Sequence, residues 1–141
     1  MSKQELEELM NDSLPFAKQM LEEHGEFHPY GGAIKANGEI IRSGAYNGEE
    51  LPLAQELIDV LVEASRKLAA AGEYRATTII FAVLVKPPTS DQKTDAIQIN
   101  LDHANGLSIE VFLPYRLSAE GDVDYGEMFA QKGAGRIFCA H

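Results

Sequence analysis

The chain has 141 residues, one domain's length, and is long enough to bury a single core without disulfide or metal staples. Twelve Lys and Arg against 22 Asp and Glu leave a net charge of -10, which repels a phosphate backbone or anionic lipid but suits a basic protein partner or a cation, beside serving solubility. One cysteine, Cys139, excludes an internal disulfide and a cysteine zinc cluster; the charged start MSKQELEELM and the short apolar run from Ile79 to Val85 leave the cytoplasm as the expected location.

The first segment carries Leu6, Leu9, Met10, Leu14, Ala17, Met20 and Leu21 at three- and four-residue steps, one stripe of an amphipathic helix that Gly25 stops. Pro15 falls inside this stripe. Its ring and missing N–H predict a kink, or a split after Asn11 with Asp12 or Ser13 capping the second half. From Phe27 the period changes. Tyr30 to Ala36 and Glu39 to Tyr46 flank Asn37-Gly38, which predicts a hairpin closed by a type I′ turn. Gly31, Gly32 and Gly44 suggest a bulge or the close approach of another backbone.

Glu49, Glu50 and Pro52 form an acidic, proline-primed helix start, and Leu53, Leu57, Ile58, Leu61, Ala64, Ser65 and Leu68 carry the helical period up to Gly72. Residues 75–86 place Thr77, Ile79, Phe81, Val83 and Val85 on one face and Thr78, Ile80, Ala82 and Leu84 on the other. Both faces are apolar, which predicts a central strand covered on both sides. Thr94 to Asp102 alternates Ile97, Ile99 and Leu101 with Gln98, Asn100 and Asp102, a half-buried strand. After the Asn105-Gly106 turn, Leu107 to Leu113 sets Leu107, Ile109, Val111 and Leu113 against Ser108, Glu110 and Phe112. Pro114 implies an edge, a bulge or an end there, and Val123 to Phe129 reads as the last strand.

The expected fold is α+β, a single domain over 1–141: an antiparallel sheet of five or six strands with two main helices in the order α-β-β-α-β-β-β(-β), and a glycine-containing tail over 130–141. Both helices are expected on one side of the sheet, with Ile79, Phe81, Val83, Leu57, Ile58 and Leu61 in the core. This order resembles the roadblock, longin, profilin and sensor-domain group of sandwiches, a topological analogy that is silent about chemistry. FHPYGGAIKANGEI and YGEMFAQKGAGRIF resemble a family of small uncharacterised bacterial proteins, and that resemblance implies no activity.

Candidate chemistry is sparse. His24 and His28, with Glu22, Glu23 and Glu26, invite a metal, but Gly25 ends the helix between the histidines, so no metal is expected. Cys139 and His141 sit at a terminus without the fixed setting that activates a thiol. Asp95, Asp102 and His103 are the polar group closest to a catalytic set, while Asp122 and Asp124 lack the pattern of a calcium loop. Gly133 and Gly135 beside Arg136 suggest an anion-binding turn or a structural ion pair, with no phosphate-loop ending. No catalytic residue and no cofactor is assigned.

The surface of most interest is the strand face of Thr78, Ile80, Ala82 and Leu84, extended by Phe112 and by Tyr30, Tyr46, Tyr115 and Tyr125. With both helices on the other side, this face needs cover from the tail, from a second copy in a homodimer or from a ligand. The leading functional reading is a non-enzymatic cytosolic binding or protein-interaction domain. A small-molecule sensing domain is the second reading, and an enzyme of unassigned reaction class the third.

Overall fold

The computed structural model describes residues 2–44, 54–88, 91–135 and 137–138. Tyr46, the helix start at Glu49, Glu50 and Pro52, and Arg136, Cys139 and His141 lie outside them. The elements are α1 (Ser2–His24), β1 (Tyr30–Lys35), β2 (Ile40–Gly44), α2 (Ala54–Ala70), β3 (Tyr74–Val85), β4 (Thr94–His103), β5 (Ser108–Leu117), β6 (Val123–Tyr125) and β7 (Phe129–Lys132). The class is α+β with the expected order. All strand pairs are antiparallel, in the order β2-β1-β3-β4-β5, and β6 and β7 share the outer side of β5.

Three hairpins are built alike. In Lys35–Glu39 the Gly38 N–H donates to the Lys35 carbonyl and the Lys35 N–H to the Glu39 carbonyl. His103 to Leu107 and Ser118 to Asp122 repeat both bonds. The glycines Gly38, Gly106 and Gly121 have φ of 93, 100 and 90°, and among the described residues no other residue type has a positive φ. Asn37 is therefore not the left-handed first residue of a type I′ turn. Each loop is the three-residue form that ends in a glycine bulge, with Ala36, Ala104 or Ala119 as its extra residue.

The predicted last strand is divided. β5 continues through Pro114 to Leu117, pairing β7 over Ile109–Phe112 and β6 over Tyr115–Leu117. Pro114 sits where the outer partner changes, the position a residue without an N–H tolerates. Its carbonyl accepts the Gly126 N–H at 2.8 Å, and the chain bends there between β6 and β7. Residues 130–132 thus belong to a strand and not to the tail.

The helices lie on opposite faces of the sheet, which corrects the expectation of one shared side. α1 packs on β1, β3 and β4, where Leu6, Leu9, Leu14, Ala17 and Leu21 form the main core with Ile34, Ile80, Ile97, Ile99, Leu101, Val111 and Leu113. α2 packs on β3 and β1 from the other side, in a smaller cluster of Leu61, Ile79 and Ile137 with Phe81 and Phe138 beside it. Phe81, Val83 and Ile58, expected in the core, are only partly buried. Because β3 is apolar on both faces, either face of it can receive a helix.

α1 is not split at Pro15. It runs as one helix from Ser2 to His24, and the Tyr30 side chain enters its hydrogen-bond ladder. The Tyr30 hydroxyl donates to the Ser13 carbonyl at 2.5 Å and accepts the Ala17 N–H at 3.1 Å, two groups that would otherwise bond each other. The helix lies close to the sheet at Gly32, where an added Cβ would stand 3.2 Å from Ser13 Oγ and 3.0 Å from the Ile41 carbonyl oxygen.

Candidate functional site

The sheet register decides which polar and aromatic side chains meet. On the α2 face, Phe81, Gln98, Phe112 and Phe129 form a row across β3, β4, β5 and β7. Ile79, Asn100, Glu110 and Gln131 form the next row, and Thr77, Asp102 and Ser108 the third. α2 covers the β1 and β3 side of this face, so the rows run out from under the helix across β4, β5 and β7. Phe112 and Phe129 stack at 5.0 Å with 13° between their planes, while Gln98 Nε2 donates to Asn100 Oδ1 and Gln131 Nε2 to Glu110 Oε1, each at 2.8 Å.

Where this surface meets α2 there is a cavity of about 50 Å³ bordered by Val62, Asn100, Asp102, Ser108, Glu110 and Ile137. Asp102 is 7% exposed, and burial pushes its carboxyl above the ordinary aspartate range; a hydrogen bond with the Ser108 side chain opposes that shift and Glu110 adds to it. The chain crosses over Ser108, with the Gly133 N–H on its carbonyl and the Gly135 N–H on Oγ at 3.1 Å. The Gly135 amide of the expected anion-binding turn is thus already donated within the chain.

Asp95, Asp102 and His103 do not converge. Asp95 pairs with Leu84 near the far end of β4, and Asp102 and His103 project to opposite faces of that strand. His103 instead meets Glu5, 98 residues away, with Nε2 2.8 Å from Glu5 Oε1. The Asn105 N–H donates to His103 Nδ1 at 3.2 Å, so this hydrogen-bond network assigns the neutral tautomer in which Nε2–H donates to the carboxylate. Arg75 Nη1 donates to Glu5 Oε2 at 2.9 Å and Nη2 to the Ala36 carbonyl at 2.8 Å. The His103 bond, then the Arg75 bond, holds the Glu5 carboxyl below the usual glutamate range. Every strong group in this cluster has an internal partner, which makes it a clamp fixing the start of α1 to the sheet.

The surface expected on β3 is divided by the true helix positions. Thr78 and Ile80 have no exposed surface under α1, and Phe112 is buried on the opposite face. Ala82 and Leu84 are exposed, Leu84 at 61%. Tyr30 and Tyr115 are buried and Tyr125 partly so. A two-fold contact through Ile80 has no surface to use. His24 and His28 are exposed on either side of Gly25, as are Asp122 and Asp124 at their turn and strand. Among the described residues no group of three His, Cys, Asp or Glu side chains is placed to hold a metal ion, and no helix is long and apolar enough to cross a membrane. The aromatic row was within reach of the sequence, since Phe81, Gln98 and Phe112 all lie on strands whose alternation is clear. Its fourth member needs the pairing of β7 to β5. No protein-family model, curated protein or solved structure matches the chain.

Proposed function

We propose that this protein is a non-catalytic binding domain that engages a basic protein partner through the part of the α2 face beyond the helix. The observation that carries this reading is the pair of adjacent rows: Phe81, Gln98 and Phe129, the last stacked on the buried Phe112, supply apolar surface, and Asn100, Glu110 and Gln131 supply a carboxylate flanked by amides. The half-buried Phe81 and Phe129 beside hydrogen-bonding groups have the composition of an interaction surface, and a net charge of -10 speeds the encounter with a cationic partner. The hydroxyl and carboxyl that meet on this face, Ser108 and Asp102, border a cavity of only about 50 Å³, and Ser108 Oγ already accepts the Gly135 N–H, which supports placing the enzyme reading last.

The test is affinity capture at low salt with purified full-length chain, comparing wild type with Glu110→Lys and Phe129→Ser on this face and Glu7→Lys on α1. The reading expects a stoichiometric basic protein retained by wild type and Glu7→Lys and lost by both face variants. Partners that survive Glu110→Lys and Phe129→Ser unchanged overturn it. A wild-type dimer in light scattering that both face variants dissociate would instead assign this face to a second copy of the chain.

A further inference from the structure

We propose that a cavity on the α1 side of the sheet, independent of the surface above, binds an uncharged aliphatic molecule: an unbranched alkyl chain ending in a hydroxyl or an amide. α1 packs on β1, β3 and β4, so the α1 side of β5 and β7 runs out beyond the helix, and a cavity of about 320 Å³ lies along that junction. Lys3, Leu6, Glu7 and Met10 border it from α1. Their three- and four-residue steps set them in one row along the first turns of the helix, about 10 Å from end to end. Leu101, Ile109 and Val111 border it from the sheet, with Ala130 opposite Val111 on β7 and Met128 just before that strand. Phe129 borders it too, with its ring stacked on Phe112 of the other face.

These walls select a chain and not a charge. The buried Leu6, Leu101 and Val111 stand against the core, Met10 and Ile109 are partly buried, and Met128 is 40% exposed at the rim. Burial of carbon surface is therefore what the cavity offers, in a volume at the lower end of the range of small-molecule sites. Methionines on two walls suit a flexible chain, because their unbranched side chains adapt to what they cover. The two charged groups bordering the cavity, Lys3 and Glu7, are of opposite sign and both exposed. A carboxylate head would meet Glu7 and a chain of net charge -10, and an ammonium head would meet Lys3. A hydroxyl or an amide both donates and accepts hydrogen bonds, so it suits both neighbours.

The experiment titrates the full chain with octan-1-ol, hexan-1-ol, octanoate and octylammonium, following the methionine methyl resonances by NMR. Octan-1-ol is expected to saturate at submillimolar concentration, with shifts at Met10 and Met128 and none at Met20, which borders a different cavity. Hexan-1-ol is expected to bind about fifteenfold more weakly, since each buried methylene is worth about fourfold. Ala130→Leu, at an exposed position whose longer side chain fills part of the cavity, is expected to weaken octan-1-ol by about tenfold, and Ala130→Ser to leave it unchanged. Equal affinity for the two alcohols overturns the proposal, as do shifts at Met20 as large as those at Met10 and Met128, because the alcohol would then be partitioning onto any apolar surface. Tighter binding of either ion than of octan-1-ol, or binding that Ala130→Leu leaves unchanged, overturns it as well. So does an absence of saturable shifts, and a wild-type dimer in light scattering that Met128→Lys dissociates would then assign the cavity to a second copy of the chain. None of these outcomes depends on the α2 face.

Discussion

Removing one oxygen atom tests how α1 passes Pro15 without breaking. The Tyr30 hydroxyl holds the Ser13 carbonyl and the Ala17 N–H apart, so Tyr30→Phe leaves a buried acceptor and a buried donor facing each other across an opened turn. Each group costs about 1–3 kcal/mol if it stays unpaired, and the sum falls to roughly 1 kcal/mol if the turn closes and the direct bond re-forms. Pro15 opposes closure, because its ring crowds the carbonyl of Asn11 four residues back. The expected loss is therefore about 2–4 kcal/mol. For a chain of this size that lowers the melting temperature by roughly 6–12 °C. Urea denaturation followed by circular dichroism should show a lower midpoint with an unchanged slope. In a Pro15→Ala background the turn can close, and the same substitution should cost no more than about half as much. A loss below about 0.5 kcal/mol in the native background, or an equal loss in both backgrounds, refutes the reasoning.

Ile80→Ala should cost about 2–5 kcal/mol in a denaturation measurement, since Ile80 is fully buried under α1, whereas Phe81→Ala should cost less because its ring is partly exposed. Gly32→Ala should destabilise by about 1–3 kcal/mol, because the new methyl group meets the Ile41 carbonyl oxygen at 3.0 Å and Thr78 Cγ2 at 3.3 Å; stability equal to wild type would mean α1 can move away. The two shifted carboxyls act in opposite directions with pH. Glu5 is held low in the folded chain, so its stabilisation is present above its unfolded value and lost as pH falls through the folded one, and the gap between wild type and Glu5→Gln should narrow in acid. Asp102 is pushed up, so its contribution is full below the unfolded value and lost as pH rises through the folded one. Asp102→Asn should then be more stable than wild type at pH 7, with the two converging in acid.

Local signals in the sequence determined the elements. The apolar stripe of α1, the alternation in β4 and β5 and the glycines at positions 38 and 106 placed helices, strands and hairpins near their observed positions, because each signal depends on φ limits and side-chain period within a few residues. What tertiary structure decided was the side on which each element is covered. Thr77, Ile79 and Phe81 are about as apolar as Thr78, Ile80 and Ala82, so the sequence of β3 leaves both faces open to a helix, and only the summed packing puts α1 on one and α2 on the other. That choice buried Ile80 and left the rows across β4, β5 and β7 on the opposite face. Nor could spacing reveal that Glu5 meets His103, or that Tyr30 takes two backbone partners in α1. Those contacts join groups far apart in the chain through the pairing of β1 and β4 with β3, and a hydrogen bond between distant side chains leaves no period in the sequence for local physics to read.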